Sequence, residues 1–371
     1  MKLKPLIIII LTLIPFSSFP ENAGTIKVGV ISNVTGENST DIVSAPLVIK
    51  MAADEINQKG GISGKKIEII VYNNEGTSVG SKIAAELAVK DGVVAVLGFH
   101  YSFAALAAAP VLQKNGIPLI ADTATNPAVT LAGDYIFRVC FTDEYQGQMI
   151  ARIAREKLKA SKITAIIDTD SRYSIDLTEI TLDNFKKRGG RIGHVFKIKN
   201  DRQEFSEITD TLKKSDSDVI LVTSYTIQAA LIIKSIRKAG IKASLIGGDS
   251  WSYRITNYTG ELGGKNYFIT GWSETLTDKN TKKFINNFRK RHPDTSITQS
   301  AGFCYDSMNL LADAIRRAGS TDRKKIRDAL AGTKNFSGIT GKMSFDENRN
   351  PRKPAIINRI SGRKIISEYF Y

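Results

Sequence analysis

Short apolar, β-branched runs alternate with amphipathic helical segments along most of the chain. IKVGVI (26–31), KIEIIVY (66–72) and VVAVLG (93–98) are typical of buried strands, and the segments that follow them have helical periodicity. The same order returns with ITAIID (163–168) and HVFKIK (194–199). This alternation predicts parallel sheets built from β–α–β units.

Two long stretches of the chain share one plan. Residues 93–125 and 218–250 both give a strand, a short polar and aromatic loop, a helix, a glycine, a strand and a polar loop. A length of 371 residues also exceeds one ordinary core and agrees with about two domains. The simplest prediction is two equivalent Rossmann-like α/β lobes.

The N-terminus predicts export. Lys2 and Lys4 precede an apolar run from Leu6 to Phe16, which is too short to span a bilayer and is typical of a secretory signal peptide. We assign residues 1–22 to this peptide. Because no cysteine directly follows the apolar run, we expect a free exported protein rather than a lipoprotein.

Charge and composition narrow the possible partners. The net charge of +15 comes from scattered basic residues rather than one patch interleaved with aromatics, so we expect no nucleic-acid partner. The three histidines are isolated, and no dinucleotide-binding or P-loop glycine pattern occurs, so we expect neither metal nor cofactor. Cys140 and Cys304 either form a disulfide or remain two buried thiols.

Ligands of open parallel sheets bind beyond the carboxyl ends of the strands. Two facing lobes would gather the loops at these ends into one cleft. The first lobe would contribute residues 33–41, 99–103 and 122–126, and the second would contribute residues 169–174, 223–226 and 248–252.

These loops offer a receptor for a zwitterion. Ser102 has the type and position of a helix N-cap, and with Thr125 it would bind an anion at the helix start. Asp249 would accept hydrogen bonds from an ammonium group on the opposite wall. Five aromatic residues would form apolar walls: Tyr101, Phe103, Tyr173, Tyr225 and Trp251. Each residue also has a purely structural interpretation, as a turn cap or a packing group.

Several segments resemble the type I periplasmic binding proteins, in particular the leucine/isoleucine/valine-binding group that serves amino-acid ABC transporters. The resemblance covers essentially the whole mature chain. The segments that carry it are IKVGVISNVTG (26–36), ADEINQKGGISGKKIEIIVYNNE (53–75), IPLIADTATNP (117–127), YIFRVCFTDEYQGQ (135–148) and AGFCYDSMNLLADAI (301–315).

The resemblance implies roles for individual residues. A serine and a threonine matching Ser102 and Thr125 would hold the ligand carboxylate, with a backbone carbonyl where Thr123 stands. An acid matching Asp249, shorter than the family's glutamate, would receive the α-ammonium group. Tyrosines matching Tyr173 and Tyr225 would come from the second lobe. Asp41 replaces a tyrosine near the ligand side chain, and either indicates a polar or cationic ligand or is an exposed loop residue.

The resemblance also implies three crossings between the lobes. The first lobe would comprise residues 25–142 and 273–345, and the second would comprise residues 143–272 and 346–371. Hinge closure would trap an amino acid in the cleft of a periplasmic monomer. The partners would then be this ligand and the permease subunits of an ABC transporter, through which alone the protein would contact the membrane.

Two other functions compete with this interpretation. GTSVG (76–80) matches the nucleophile motif of hydrolases, but neither His194 nor His292 is a persuasive base, so we interpret Ser78 as part of a helix-starting turn and expect no enzyme. A sensor for amino acids or amides that acts through a separate partner is the alternative. A sugar-binding cleft would require more Asp, Asn and Arg residues than these loops contain.

Overall fold

The computed structural model describes residues 24–35, 44–199, 201, 203–262 and 264–370. The predicted signal peptide (1–22) and Asp41 lie outside this part of the chain.

The first sheet is parallel, with the strand order β2-β1-β3-β4-β5. Helices cover both of its faces, which explains why its strands are nearly continuous apolar runs. The strands are β1 (Ile26–Ser32), β2 (Ile67–Asn73), β3 (Ala95–Gly98), β4 (Leu119–Ala121) and β5 (Ile136–Arg138). The intervening helices are α1 (Ser44–Gln58), α2 (Ser78–Lys90), α3 (Ser102–Lys114) and α4 (Ala128–Leu131).

The second sheet is mixed, with the order β14-β13-β10-β9-β8-β6-β7. Its parallel strands are β6 (Lys162–Asp168), β7 (Arg191–Ile198), β8 (Val219–Val222), β9 (Ser244–Gly247) and β10 (Asn266–Thr270). Its helices are α5 (Asp143–Arg152), continued by a π-helical turn (Ile153–Lys157), α6 (Arg172–Lys187), α7 (Ser206–Lys213), α8 (Thr226–Lys238) and α9 (Ile255–Thr259), with a 3₁₀ turn (Gly260–Leu262).

The C-terminal quarter of the chain contributes to both halves of the molecule, the first half built around the first sheet and the second half around the second sheet. Helices α10 (Lys279–Arg291), α11 (Ala301–Ala318) and α12 (Arg323–Ala331) and the hairpin β11 (Phe336–Gly338) and β12 (Gly341–Met343) follow β10. Phe284, Leu311 and Ile326 of these helices share an apolar core with Val28 and Ile49 of the first half. Strands β13 (Ala355–Ser361) and β14 (Lys364–Phe370) then extend the second sheet in antiparallel fashion.

The described chain therefore passes between the halves after β5, after β10 and after β12. The predicted fold class, two α/β lobes joined by three crossovers, is confirmed, with an antiparallel edge on the second sheet. The lobe boundaries 142/143, 272/273 and 345/346 stay predictions.

Helix α2 packs through small residues. Its face with Ile83 and Leu87 is exposed, although apolar residues at this spacing usually face a core. The buried face consists of Ser81, Ala84, Ala85 and Ala88, and these alanines pack in one cluster with the alanines of α3. Close approach of two alanine-rich helices thus leaves the larger side chains outside.

Cys140 and Cys304 are both free and buried. The Cys304 thiol donates to Asp122 Oδ2 at 3.1 Å. Among the described residues, no helix has both the length and the apolarity needed to cross a membrane.

Candidate functional site

The loops at the carboxyl ends of the two sheets meet around one cavity. The first half contributes loops after β3 and β4 together with the segment before α11 and the first turn of α11, and the second contributes α6, loops after β8 and β9, and the end of β10. The lining residues are His100, Tyr101, Ser102, Thr123, Thr125, Tyr173, Tyr225, Thr226, Asp249, Ser250, Ser252, Thr270, Gly271, Gln299 and Phe303.

A strained turn places the start of α3 at this cavity. Gly98 has φ +115° and Phe99 has φ +65°, and a Cβ on Gly98 would lie 2.3 Å from the carbonyl oxygen of Ile31. Only glycine therefore fits at the end of β3. Phe99 is buried, so the chain turns sharply and brings the next three residues to the cleft.

The prediction that Ser102 is an N-cap is wrong by one residue. Tyr101 has the extended backbone of the cap and makes no side-chain cap hydrogen bond, while Ser102 is the first residue of α3. Ser102 Oγ instead accepts the N–H of Asn126 at 3.2 Å. The first-turn N–H groups of a helix lack intrahelical acceptors, so this end of α3 remains suited to an anion.

A buried arginine holds the loop that contains Thr123 and Thr125. Arg138 donates to the carbonyl oxygens of Ala124 at 2.8 Å and Asn126 at 2.7 Å. The Arg138 side chain, in the segment YIFRVCF (135–141), is fully buried and is not among the residues that line the cavity. It therefore holds the loop in place without facing the cavity. Sequence reasoning missed this residue, although an arginine inside an apolar strand was a usable signal.

The Thr123 hydroxyl contacts His100. Its Oγ1 lies 2.9 Å from His100 Nδ1 and donates to the His100 carbonyl oxygen at 3.0 Å. His100 itself lines the cavity, which the sequence did not predict. The two loops of the first half are thereby joined directly at the cavity wall.

Asp249 lies on the opposite wall, directly after β9. Its Oδ1 accepts the Tyr173 hydroxyl at 2.9 Å, and its N–H donates to Gln146 Oε1 at 2.6 Å. Burial raises the pKa of the Asp249 carboxyl to about 6, against the opposing effect of the hydrogen bonds from Tyr173 and Gln146. The ionised form of this buried carboxyl would therefore be stabilised by a positively charged partner, such as an ammonium group.

Gln146 links Asp249 to a second buried acid. Its Nε2 donates to Asp143 Oδ1 at 3.1 Å while its Oε1 serves the Asp249 N–H. Burial, and secondarily the charge of Asp249, raise the pKa of Asp143 well above its usual range. Neither Asp143 nor Gln146 was predicted, because their proximity to Asp249 depends on packing between distant segments.

The two glycines before Asp249 permit this arrangement by close approach. A Cβ on Gly247 would lie 2.3 Å from the Trp251 ring. A Cβ on Gly248 would lie 2.3 Å from the Tyr173 hydroxyl oxygen and 2.5 Å from Gln146 Oε1. The two glycines of GGDSW (247–251) thus let Trp251, Tyr173 and Gln146 pack closely against the backbone at the end of β9.

The predicted aromatic wall is partly realised. Tyr225 meets Tyr101 edge-on with ring centroids 5.1 Å apart and stacks on Tyr173 at 5.8 Å. These three tyrosines line the cavity, and so does Phe303, which sequence reasoning missed. Phe103 stacks on Tyr101 at 5.4 Å and faces an adjoining part of the cleft.

Trp251 does not line the cavity. It is completely buried in the second half, in a core cluster with Phe268. The absence of a side chain on Gly247 lets the indole lie against the strand, which corrects the prediction of a wall residue. Asp41 lies outside the described residues, so its role stays a prediction.

A sequence model of the periplasmic binding protein family matches residues 25–364. The chain belongs to this family. The chain is 28% identical over 345 residues to Leu/Ile/Val-binding protein homolog 1 of Brucella abortus. This match covers 90% of this chain and 89% of the relative. The chain is 25% identical to the leucine-, isoleucine-, valine-, threonine- and alanine-binding protein of Pseudomonas aeruginosa, covering 90% and 88%.

Solved structures show the same likeness. A branched-chain amino acid transporter substrate-binding protein from Streptococcus pneumoniae, in complex with isoleucine, is 30% identical with a TM-score of 0.87, covering 93% of this chain and 99% of the other. A leucine-binding protein from Thermotoga maritima is 27% identical with a TM-score of 0.86, covering 93% and 98%. The family consists of transport components rather than a class of enzymes.

Proposed function

We propose that this chain is a periplasmic solute-binding protein that captures an amino acid, or a similar small zwitterion, between its lobes and delivers it to an ABC transporter. The observation that carries the proposal is the pairing of Asp249 with Ser102 and Thr125 across one cavity. A carboxylate with a raised pKa stands on one wall, and hydroxyl groups at a helix start stand on the other.

This arrangement matches the two charges of an amino acid. The start of α3, with the hydroxyls of Ser102 and Thr125, would receive the carboxylate, and the carbonyl oxygen of Thr123 would accept a hydrogen bond from the ammonium group. Asp249 would receive the ammonium group, and Tyr173 would hold the carboxylate of Asp249 in place through the hydrogen bond at 2.9 Å. Tyr101, Tyr225 and Phe303 would then enclose the side chain.

The names of the relatives support an amino acid as ligand. The Pseudomonas aeruginosa relative is named for leucine, isoleucine, valine, threonine and alanine, and the Streptococcus pneumoniae structure contains isoleucine. Most of the described residues that line the cavity carry an aromatic ring or a hydroxyl group. We therefore propose a neutral amino acid.

The remaining features of the proposal concern the form of the protein. We propose that residues 1–22 direct export and are removed, and that the mature chain acts as a periplasmic monomer that meets the membrane through its transporter. We further propose binding without catalysis. Ser78 begins α2, and the Thr77 hydroxyl accepts the Gly80 N–H at 2.9 Å, so GTSVG forms a helix start.

A thermal-shift panel tests the proposed function. Purified, ligand-stripped protein is heated with each of the common amino acids, their amides and simple sugars. A ligand at about 100 times its dissociation constant stabilises the folded state by about 2.7 kcal/mol. We expect neutral amino acids to raise the melting temperature. Stabilisation by sugars alone, or by none of the amino acids, would contradict the proposal.

A further inference from the structure

Gln299 lies immediately before α11 and lines the same cavity as Asp249. Its side chain is nearly buried and makes three hydrogen bonds to the main chain of residues 249–253. Nε2 donates to the carbonyl oxygens of Asp249 at 2.9 Å and Trp251 at 2.8 Å, and Oε1 accepts the N–H of Tyr253 at 3.1 Å. The Gln299 side chain thus binds three main-chain groups of the loop 249–253, which contains Asp249.

The residues on either side of Gln299 are anchored in the first half of the molecule. The Thr298 hydroxyl lies 2.8 Å from the hydroxyl of Ser44 in α1 and 2.8 Å from that of Ser300. Ala301, the first residue of α11, belongs to the apolar core of the first half. Gln299 therefore connects one half of the molecule to the binding loop of the other.

The two peptide groups around Asp249 are held by two different glutamine side chains. Gln146 accepts the N–H of Asp249, and Gln299 donates to its carbonyl oxygen. Fixing both groups restricts rotation about φ and ψ of Asp249, and so fixes the direction in which its side chain leaves the backbone. Gly248 before it supplies no side chain that would restrict the loop.

Only a carboxamide of this length satisfies the loop. Two carbonyl oxygens require two N–H donors, and the Tyr253 N–H requires an acceptor. Glutamate lacks the donors, and an apolar residue of the same length leaves three main-chain groups without the partners that Gln299 supplies. The three hydrogen bonds to the loop thus account for a glutamine at this position.

We propose that Gln299 is a positioning residue, which orients Asp249 toward the ammonium group of the ligand and so couples the first half of the molecule to ammonium recognition. The inference rests on the proposed amino-acid function. It assigns Gln299 an effect that depends on the negative charge of Asp249, whereas a residue that merely stabilises the fold would affect binding regardless of that charge.

A double-mutant cycle tests this dependence. Calorimetry measures the affinity for L-leucine and L-alanine of the wild type, Gln299→Met, Asp249→Asn and the double variant. Methionine preserves the length of the side chain and removes all three hydrogen bonds. We expect Gln299→Met to weaken binding about tenfold in the wild type and less than about threefold in the Asp249→Asn background. An equal fold-change in both backgrounds would overturn the proposal.

A second variant and a control separate folding from positioning. Gln299→Leu removes the same three hydrogen bonds without adding a charge, so we expect the same dependence on Asp249 for this variant. Gln113→Ala removes another carboxamide that holds a loop of the first half, through Asp134 and the Tyr135 N–H, away from the cavity. We expect it to leave both affinities unchanged, and an effect equal to that of Gln299→Met would count against positioning. If the wild type binds neither amino acid nor any other in the thermal-shift panel, the proposed function itself is wrong.

Discussion

The two walls of the cavity are built on different principles. The first-half wall presents hydroxyls and a helix start, and a buried arginine fixes its loop from behind through main-chain carbonyls. Among the described residues that line the cavity, the second-half wall has one carboxylate, Asp249, which is held by hydrogen bonds with Tyr173, Gln146 and Gln299. If one of the hydroxyl or N–H donors of the first-half wall is removed, the others remain to bind the ligand. If Asp249 is removed, the second-half wall loses the charge that would bind the ammonium group. The walls should therefore respond unequally to mutation and to pH.

Asp249→Ala should have the largest effect. Removing one partner of a buried charge pair typically costs about 2 to 5 kcal/mol, so we expect affinity to fall by about 30-fold to several thousand-fold. Calorimetry with the amino acid selected by the thermal-shift panel measures this loss. Asp183→Ala, which removes an exposed ion pair with Lys187 on α6, serves as the control. An unchanged dissociation constant for Asp249→Ala would remove Asp249 from the site.

Gly248→Ala should rank second. The added methyl would displace the Tyr173 hydroxyl and Gln146 Oε1, which lie 2.3 and 2.5 Å from the position of its Cβ. Loss of hydrogen bonds that hold a charged group costs about 1.5 to 3 kcal/mol, so affinity should fall roughly 10- to 100-fold. Gly264→Ala is the matched control, because no atom lies within 4 Å of its added Cβ. Equal affinities of the two variants would contradict this role of Gly248.

Lowering the pH should weaken binding through Asp249 on the second wall. The raised pKa of Asp249, about 6, means that the carboxyl is ionised at neutral pH and becomes protonated below about pH 6. Since the ionised form pairs with the ammonium group, affinity should be steady near neutrality and fall about tenfold per unit at lower pH. Calorimetry across this range measures the midpoint.

Tyr173→Phe sharpens the pH prediction. The Tyr173 hydroxyl lowers the pKa of Asp249 by donating to its carboxylate, so its removal should move the midpoint of the affinity profile to higher pH. A midpoint that does not move would show that another group governs the profile. Asp143, joined to Asp249 through Gln146, would be the next residue to test.

Ser102→Ala should have the smallest effect. Thr125 and the first-turn N–H groups of α3 remain, so loss of one hydroxyl should cost about 1 kcal/mol, or roughly fivefold in affinity. Ser78→Ala is a matched control, because Ser78 likewise begins a helix, and it should leave binding unchanged. A loss for Ser102→Ala as large as that for Asp249→Ala would show that the two walls do not differ.

Local patterns in the sequence predicted the fold and seven of the fifteen described residues that line the cavity. Strand and helix periods give the two lobes, and strand ends give Ser102, Thr125, Tyr173, Tyr225 and Asp249 on one cavity. Trp251 was misplaced because aromatic character alone does not distinguish a wall from a core. Gln146 and Gln299 were missed because their targets are main-chain groups more than 40 residues away, which no local pattern encodes.

The central claim is that the first-half wall binds the carboxylate of the ligand and the second-half wall binds its ammonium group. The most direct test compares three ligands that share one side chain and differ in these two charged groups. Thermal shifts are measured with L-leucine, with leucinamide, which lacks the carboxylate, and with 4-methylpentanoate, which lacks the ammonium group. Alanine, alaninamide and propionate form a parallel series for a smaller side chain. The claim predicts that the zwitterion of at least one series stabilises the protein and that both of its analogues lose most of the effect. Stabilisation by 4-methylpentanoate or propionate equal to that by the parent amino acid would contradict it.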